Sequence, residues 1–121
     1  MATISKQLLS GSTEGRGIKL TDTASSVNTD AGYLIHTAVT GTTDIDEVWL
    51  YASNSHTGAV TLTIEWGGTT SPDDHIKATI GSNETVLVAS GLVLQNGNHI
   101  KAFASNANVI TIFGFVNRMD I

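Results

Sequence analysis

The sequence predicts an all-β protein, a single-domain antiparallel β-sandwich with an extended N-terminal arm. Three observations lead to this prediction. The 121 residues include 17 threonines, 11 isoleucines and 9 valines, β-branched types that pack well on a pleated surface and lose rotamer freedom in helices. Twelve glycines and one proline fall mainly between short apolar segments. Many of these segments alternate with period two, and turn residues recur roughly every eight to twelve positions, as in sandwiches, jelly rolls among them.

The clearest local signal runs over residues 44–68 and predicts a β-hairpin. In its second strand, 60–66 (VTLTIEW), apolar residues alternate with polar ones, which indicates one buried face. In its first strand, 48–52 (VWLYA), both faces carry apolar residues, as in a central strand or one whose outer face meets another subunit. The turn over 54–58 (NSHTG) is rich in residues that tolerate turn geometry.

Further strands follow from the same alternation and from turn residues between them. The dipeptide Asn96-Gly97 predicts a second hairpin. The last strand is apolar on both faces, so we expect it in the core. No internal repeat or linker interrupts residues 17–121, which we predict to form one domain. The additional strands are predicted at 17–20, 33–39, 75–80, 85–89, 92–94, 99–104 and 109–117.

Residues 1–16 are predicted to form the arm, because three glycines between positions 11 and 17 exclude a long helix. Two interpretations remain open. One is a frayed terminus, where disorder commonly concentrates. The other is an arm that becomes ordered on a partner, and the presence of two of the six basic residues in this short segment favours it.

Composition excludes several partners. The net charge of −5 and the pI near 5.1 argue against nucleic acid and anionic membranes, which require basic surfaces. The chain has no cysteine, so neither disulfides nor thiolate metal sites hold it together. No apolar run has the length of a secretory signal or a membrane span. We therefore expect a soluble product that acts where it is made, or in an assembly formed there.

Few residues suggest catalysis or metal binding, and we expect no enzyme activity, cofactor or metal. Acidic residues cluster at 44–47 and 73–75, but without the spacing of a calcium loop, so solvated loop carboxylates are the simpler interpretation. The four histidines match no zinc motif. A small hydrolase that uses Asp73, Asp74 and His75 is the remaining enzymatic hypothesis.

Four segments carry a family resemblance: GTTDIDEVWL (41–50), LTIEWGG (62–68), GLVLQNG (91–97) and NVIT (108–111). The chain resembles small virion proteins of tailed bacteriophages, some of which look like capsid cement (decoration) proteins. The resemblance implies a β-sandwich that binds the major capsid protein on the outside of the icosahedral head, commonly as a homotrimer at three-fold positions. It also implies that the protein resides on the virion exterior after synthesis in the host cytoplasm.

The pattern of apolar and basic residues suggests two sets of contacts. For the oligomer interface we expect Trp49, Tyr51 and Phe103. For contact with the capsid we expect Ile4, Lys6, Leu8, Leu9 and Arg16.

The alternative function is a tail or fibre module that binds host-surface glycans through aromatic residues such as Trp49 and Tyr51.

Overall fold

A computed structural model describes residues 2–23 and 33–121. Within these ranges the regular secondary structure consists of β-strands without any helix, which confirms the predicted all-β class. The nine strands are β1 (Thr3–Leu8), β2 (Ile18–Lys19), β3 (Tyr33–Thr37), β4 (Ile45–Asn54), β5 (Val60–Trp66), β6 (His75–Ile80), β7 (Thr85–Leu94), β8 (His99–Ala104) and β9 (Ile110–Asp120).

The strands form two antiparallel sheets that pack against each other, so the predicted β-sandwich is confirmed. The five-stranded sheet has the order β1-β9-β4-β7, and β2 also pairs with β9. The four-stranded sheet has the order β3-β8-β5-β6. From β3 onward, the chain changes sheet at every connection except the one between β5 and β6.

The hairpin predicted over residues 44–68 is wrong, because β4 and β5 lie in different sheets. The turn between them carries the chain across the sandwich. Asn54, which is buried, fixes this crossing: its side-chain amide donates to the carbonyls of Gly58 (3.0 Å) and Ile80 (2.9 Å), and its oxygen accepts from the His56 amide (2.8 Å). The hydrogen bonds of this buried side chain therefore hold the turn, and the backbone pairing expected between the two strands of a hairpin is not formed.

The second predicted hairpin is wrong for the same reason. Asn96 and Gly97 adopt positive φ (64° and 67°), as their sequence suggests, but they join β7 to β8 in the other sheet. Local turn chemistry was therefore predicted correctly, whereas the partner of the following strand was not.

The core lies between the sheets and is filled by branched aliphatic residues. Along β4, buried and less buried residues alternate without interruption, so Val48, Leu50 and Ala52 point inward, while Trp49 and Tyr51 point outward. The largest apolar side chains with almost no exposure are Leu20, Ile35, Leu50, Leu62, Ile64, Ile80, Ile100, Ile110 and Ile112.

The N-terminal segment differs from the predicted free arm. Thr3–Leu8 pairs with β9 over its whole length and forms an edge strand of the five-stranded sheet. Leu9 follows in the core with 2% of its surface exposed, so this residue is not available for the expected capsid contact. A role of the remaining residues in binding a partner stays a prediction.

Candidate functional site: the outer face of the five-stranded sheet

The middle strands of the five-stranded sheet place four aromatic rings on one surface. Trp49 and Tyr51 of β4 lie directly opposite Phe115 and Phe113 of β9. Directly opposed residues in an antiparallel pair point to the same side of the sheet. Since Trp49 and Tyr51 point away from the core, all four rings lie on the side facing away from the other sheet.

The flanking strands extend this surface with aliphatic residues. Leu87 and Val93 of β7 lie opposite Tyr51 and Glu47, and Leu8 of β1 lies opposite Phe115. We call the whole surface the outer face. Its members are Ile4, Lys6, Leu8, Ile45, Glu47, Trp49, Tyr51, Leu87, Val93, Phe113, Phe115, Asn117 and Met119.

The apolar area of the outer face is that of a protein interface. Five of its large apolar residues, Ile4, Leu8, Leu87, Val93 and Phe113, expose between 43% and 64% of their surface. If a large apolar residue offers roughly 200 Å² when fully exposed, these five contribute about 500 Å². A standard interface covers about 800 Å² per partner, of which about 450 Å² is apolar. One row of polar residues crosses the otherwise apolar surface: Lys6, Asn117 and Glu47, which lie opposite one another on β1, β9 and β4.

The rings and the polar row hold each other in place. The Trp49 and Phe115 rings stack with centroids 6.2 Å apart and planes within 8°, and the Lys6 ammonium lies 4.6 Å above the Phe115 ring. Glu47 Oε1 accepts from Trp49 Nε1 (2.9 Å) and from Asn117 Nδ2 (3.0 Å), and these bonds lower the pKa of the Glu47 carboxyl. The outer face is therefore ordered before any partner arrives.

The predicted oligomer contacts do not form one patch. Trp49 and Tyr51 lie on the outer face and are half-buried. Phe103 lies in β8 of the other sheet, where it is almost buried and meets the His75 ring edge-on at 6.4 Å. A single flat interface cannot include all three, because they belong to different sheets and Phe103 points away from the outer face.

Most of the predicted capsid contacts lie at one edge of the molecule. Ile4, Lys6 and Leu8 line the β1 edge of the outer face, and Arg16 is exposed in the loop before β2. Only Leu9 is removed from the set by its burial. The other four residues are exposed, and their contact with a capsid stays a prediction.

A buried ion network that the sequence analysis missed connects the two sheets. Asp46 of β4 has no exposed surface and accepts two hydrogen bonds from its cross-strand partner Arg118 (Nε to Oδ1, 2.8 Å; Nη2 to Oδ2, 3.0 Å). It also accepts from the Val39 amide at 3.0 Å and pairs with His36 Nε2 at 2.8 Å. The sequence indicated this burial: Asp46 lies two positions before Val48 and four before Leu50, so its side chain points to the same buried face of β4.

Hydrogen-bond partners fix the protonation state of this network. The Ser10 amide can only donate, so His36 Nδ1 (3.0 Å) accepts and the ring proton sits on Nε2, toward Asp46. Burial lowers the pKa of His36 more strongly than Asp46 raises it. Burial alone would raise the pKa of Asp46, but hydrogen bonds from Arg118 and His36 lower it overall. The Asp46 carboxylate in turn raises the pKa of Arg118.

The network resembles the aspartate–histidine pair of hydrolases, but its geometry does not serve catalysis. Both ring nitrogens of His36 are already hydrogen-bonded, so neither is left to accept a proton from a nucleophile. The ring is also almost completely buried. We interpret the network as a structural connection between β3, β4 and β9.

The second acidic cluster forms no metal site. The Asp74 carboxylate accepts from the Thr70 amide at 3.2 Å and closes its loop, and the His75 ring packs against Phe103. In the part of the chain that the structure describes, no three His, Cys, Asp or Glu residues lie close enough to hold a metal ion. In the same ranges there is also no helix long and apolar enough to cross a membrane.

Comparisons with known proteins add no further assignment. No protein-family model, curated protein or solved structure matches the chain.

Proposed function

We propose that this chain is a bacteriophage virion structural protein, namely a capsid cement (decoration) protein that binds the outer head surface and stabilises the shell. The observation that carries the proposal is the outer face, a preordered and largely apolar surface of about 500 Å². An area of this size matches the largest apolar patch of an ordinary monomer, about 300–600 Å², and such a patch is often functional. The family resemblance of residues 41–50, 62–68, 91–97 and 108–111 supplies the identity of the partner, the major capsid protein.

In this role the protein works by binding energy alone. A ligand that binds only the assembled shell stabilises that shell, because shell disassembly then also requires loss of the ligand. The body must stay rigid while it bridges neighbouring capsid subunits. The network of His36, Asp46 and Arg118 supports that rigidity, because it holds strands of both sheets together. The proposal includes a homotrimer around a three-fold axis of the head.

We further infer that the sandwich is a jelly roll. The sheet orders β1-β9-β4-β7 and β3-β8-β5-β6, with repeated sheet changes along the chain, are those of two interleaved Greek keys. Viral capsid and lectin domains use this architecture. It is compatible with a virion protein, but fold alone does not assign function.

The test uses virions of the phage whose genome encodes the chain. Mass spectrometry of gradient-purified virions and cryo-electron microscopy should find the protein on the outer head surface. Purified protein should also rebind to heads that lack it, as measured by sedimentation. Replacing Leu8 and Leu87 by serine removes about 100 Å² of apolar contact each, about 2 kcal/mol per residue. The double variant should therefore bind at least roughly a hundredfold more weakly.

A matched control is Leu92→Ser. Leu92 is as exposed as Leu87 and lies on the same strand, but it pairs with the inward-facing Val48 and is outside the outer face. This variant should bind heads normally. The proposal is abandoned if virions contain no copy of the chain, or if the double variant binds as tightly as the unmodified protein.

A second candidate function is a tail or fibre module that binds host-surface glycans. The specific observation in its favour is the pair of half-buried aromatic residues, Trp49 and Phe115, beside the Glu47 carboxylate. Sugar rings bind to aromatic residues through their apolar faces, and carboxylates accept hydrogen bonds from sugar hydroxyls. Glycan-array binding that Trp49→Ala abolishes would favour this function over capsid binding.

A further inference from the structure

A groove of about 510 Å³ lies at the edge of the sandwich, where β2 and β9 of one sheet approach β3 of the other. This volume is within the range of small-ligand sites, roughly 300–1,000 Å³. The side chains that carry the argument are Arg16, Lys19, Tyr33, Phe113, Thr13 and Thr111.

The charge of the groove is opposite to that of the protein. The chain has eleven acidic and six basic residues, yet among the described residues that line the groove the charged ones, Arg16 and Lys19, are both basic. Both are exposed, and neither forms an ion pair with another described residue. Two exposed cations on one groove favour an anionic ligand, and the planar guanidinium of Arg16 matches a carboxylate.

Two aromatic rings and several hydroxyls surround these cations. Tyr33 and Phe113 expose 40% and 43% of their surface. Gly17 lies directly against Phe113: a Cβ at Gly17 would come within 2.7 Å of the ring, so a larger residue there would require the ring to move. Phe113 thus forms a wall of the groove. Threonine hydroxyls along the lining add neutral donors and acceptors.

This combination favours a sugar over a peptide. An extended peptide binds best by adding a strand to an open sheet edge. Next to the groove, the backbone groups of Leu20 point toward the start of β9 and pair there, so Leu20 itself offers no ladder to a peptide: its amide donates to Ile110 O, and its carbonyl accepts from the Asn108 amide, both at 2.9 Å. The groove instead offers aromatic rings that can stack on sugar rings, hydroxyls that can hydrogen-bond to sugar hydroxyls, and cations that can pair with sugar carboxylates.

We propose that the groove binds an acidic carbohydrate, a chain of carboxylated hexoses. Arg16 and Lys19 bind carboxylates, while Tyr33 and Phe113 stack on the sugar rings. The site goes beyond the proposed capsid function. It shares Phe113 with the outer face and Arg16 with the predicted capsid contacts, but its test needs no virion and also reports on Lys19 and Tyr33, which belong to neither set, so the two proposals can fail independently. The site also differs in place from the Trp49–Phe115 pair, because it lies at the β2 edge.

The test is a nuclear magnetic resonance titration of the ¹⁵N-labelled full chain with tetragalacturonate, in low salt without divalent cations. Saturable shifts should appear in the amides around Arg16, Lys19 and Tyr33. The methyl ester of the same tetrasaccharide, which lacks the charges, should bind at least roughly tenfold more weakly. Arg16→Gln and Lys19→Gln should each weaken binding by a similar factor. Glu14 is an exposed acidic residue two positions before Arg16, so Glu14→Gln should strengthen binding.

Controls make each result decisive. Lys77→Gln removes an exposed basic residue on the other sheet and should leave binding unchanged. Unchanged amide dispersion verifies that each variant is folded. The proposal is overturned if no saturable shift appears, if the ester binds equally, or if neither Arg16→Gln nor Lys19→Gln weakens binding. Equal or tighter binding of tetraglutamate would also overturn it and assign the groove to acidic peptides.

Discussion

Replacing Asp46 by asparagine should destabilise the protein more than any single replacement of Glu47, the other carboxylate of β4. In the native structure both Asp46 oxygens only accept hydrogen bonds, from Arg118, His36 and the Val39 amide. Asparagine keeps the shape but turns one of these acceptors into a donor. A donor then faces either the guanidinium or the His36 Nε2–H, and a buried polar group loses its partner.

The magnitude follows from burial. Asp46 is completely buried, whereas the Arg118 side chain is 32% exposed and can recover part of its hydration. Removal of one partner from a fully buried ion pair costs about 3–5 kcal/mol, and the exposure of Arg118 places this case at the lower end, about 3 kcal/mol. For a domain of this size that loss corresponds to a decrease in Tm of about 12 °C.

Urea unfolding at pH 7 measures the effect. Trp49 reports on the five-stranded sheet and Trp66 on the four-stranded sheet, so fluorescence combined with circular dichroism tests whether both sheets unfold together. Asp44→Asn is the matched control, since the Asp44 carboxylate only accepts from the Ile121 amide at the surface, and it should cost about 0.5 kcal/mol or less. Equal losses for Asp46→Asn and the control would refute the structural role of the network.

Three further predictions concern the same framework. Because burial lowers the pKa of His36 below 6.5, the unfolded chain takes up this proton first, so His36 contributes its full stability above pH 6.5 and loses it as the pH falls. His36→Gln should flatten the decrease in unfolding free energy between pH 7.5 and 5, and an unchanged slope would contradict this role of His36. Gly114→Ala should cost about 3 kcal/mol in urea unfolding, since the new methyl group would overlap the Trp49 carbonyl oxygen; a loss below about 1 kcal/mol would contradict that geometry. Asn54→Ala leaves the buried Ile80 carbonyl and the partly buried Gly58 carbonyl without their donor and should cost about 2 kcal/mol by the same assay, and an unchanged midpoint would show that other contacts hold the turn.

The positions of the strands were largely predictable because they depend on local alternation. The predictions for β6 and β8 have the bounds that the structure shows, 75–80 and 99–104. Residues 85–94 were predicted as two short strands separated at Ser90-Gly91. The structure has one strand, β7, because register shifts against β4 absorb the interruption and Gly91 takes a positive φ.

The pairing of the strands was not predictable in the same way. A turn such as Asn96-Gly97 determines the direction of the chain over a few residues, but not the sheet that the next strand joins. That choice depends on which apolar faces pack together across the sandwich. Pairs such as β9 with β1 join residues more than one hundred positions apart, and no local pattern encodes them.

The ion network illustrates a similar limit. His36 and Arg118 lie 10 and 72 positions from Asp46, and only folding brings them together. Parity along β4 places Asp46 on the buried face with Val48 and Leu50, which predicts a paired carboxylate. Asp46 was predicted to belong to a solvated acidic cluster because it adjoins Glu47 in the sequence. In the strand, however, the two side chains point to opposite faces of the sheet.

The outer face is the feature that the sandwich itself does not require. The core needs only the inward residues of β4 and β9, and polar residues on their outward positions would fold equally well and improve solubility. Instead, Trp49, Tyr51, Phe113 and Phe115 occupy those positions, and the flanking strands add exposed aliphatic residues at the same levels. A water-exposed apolar surface of this kind favours association, and its extent across four strands supports the proposal that a partner covers it.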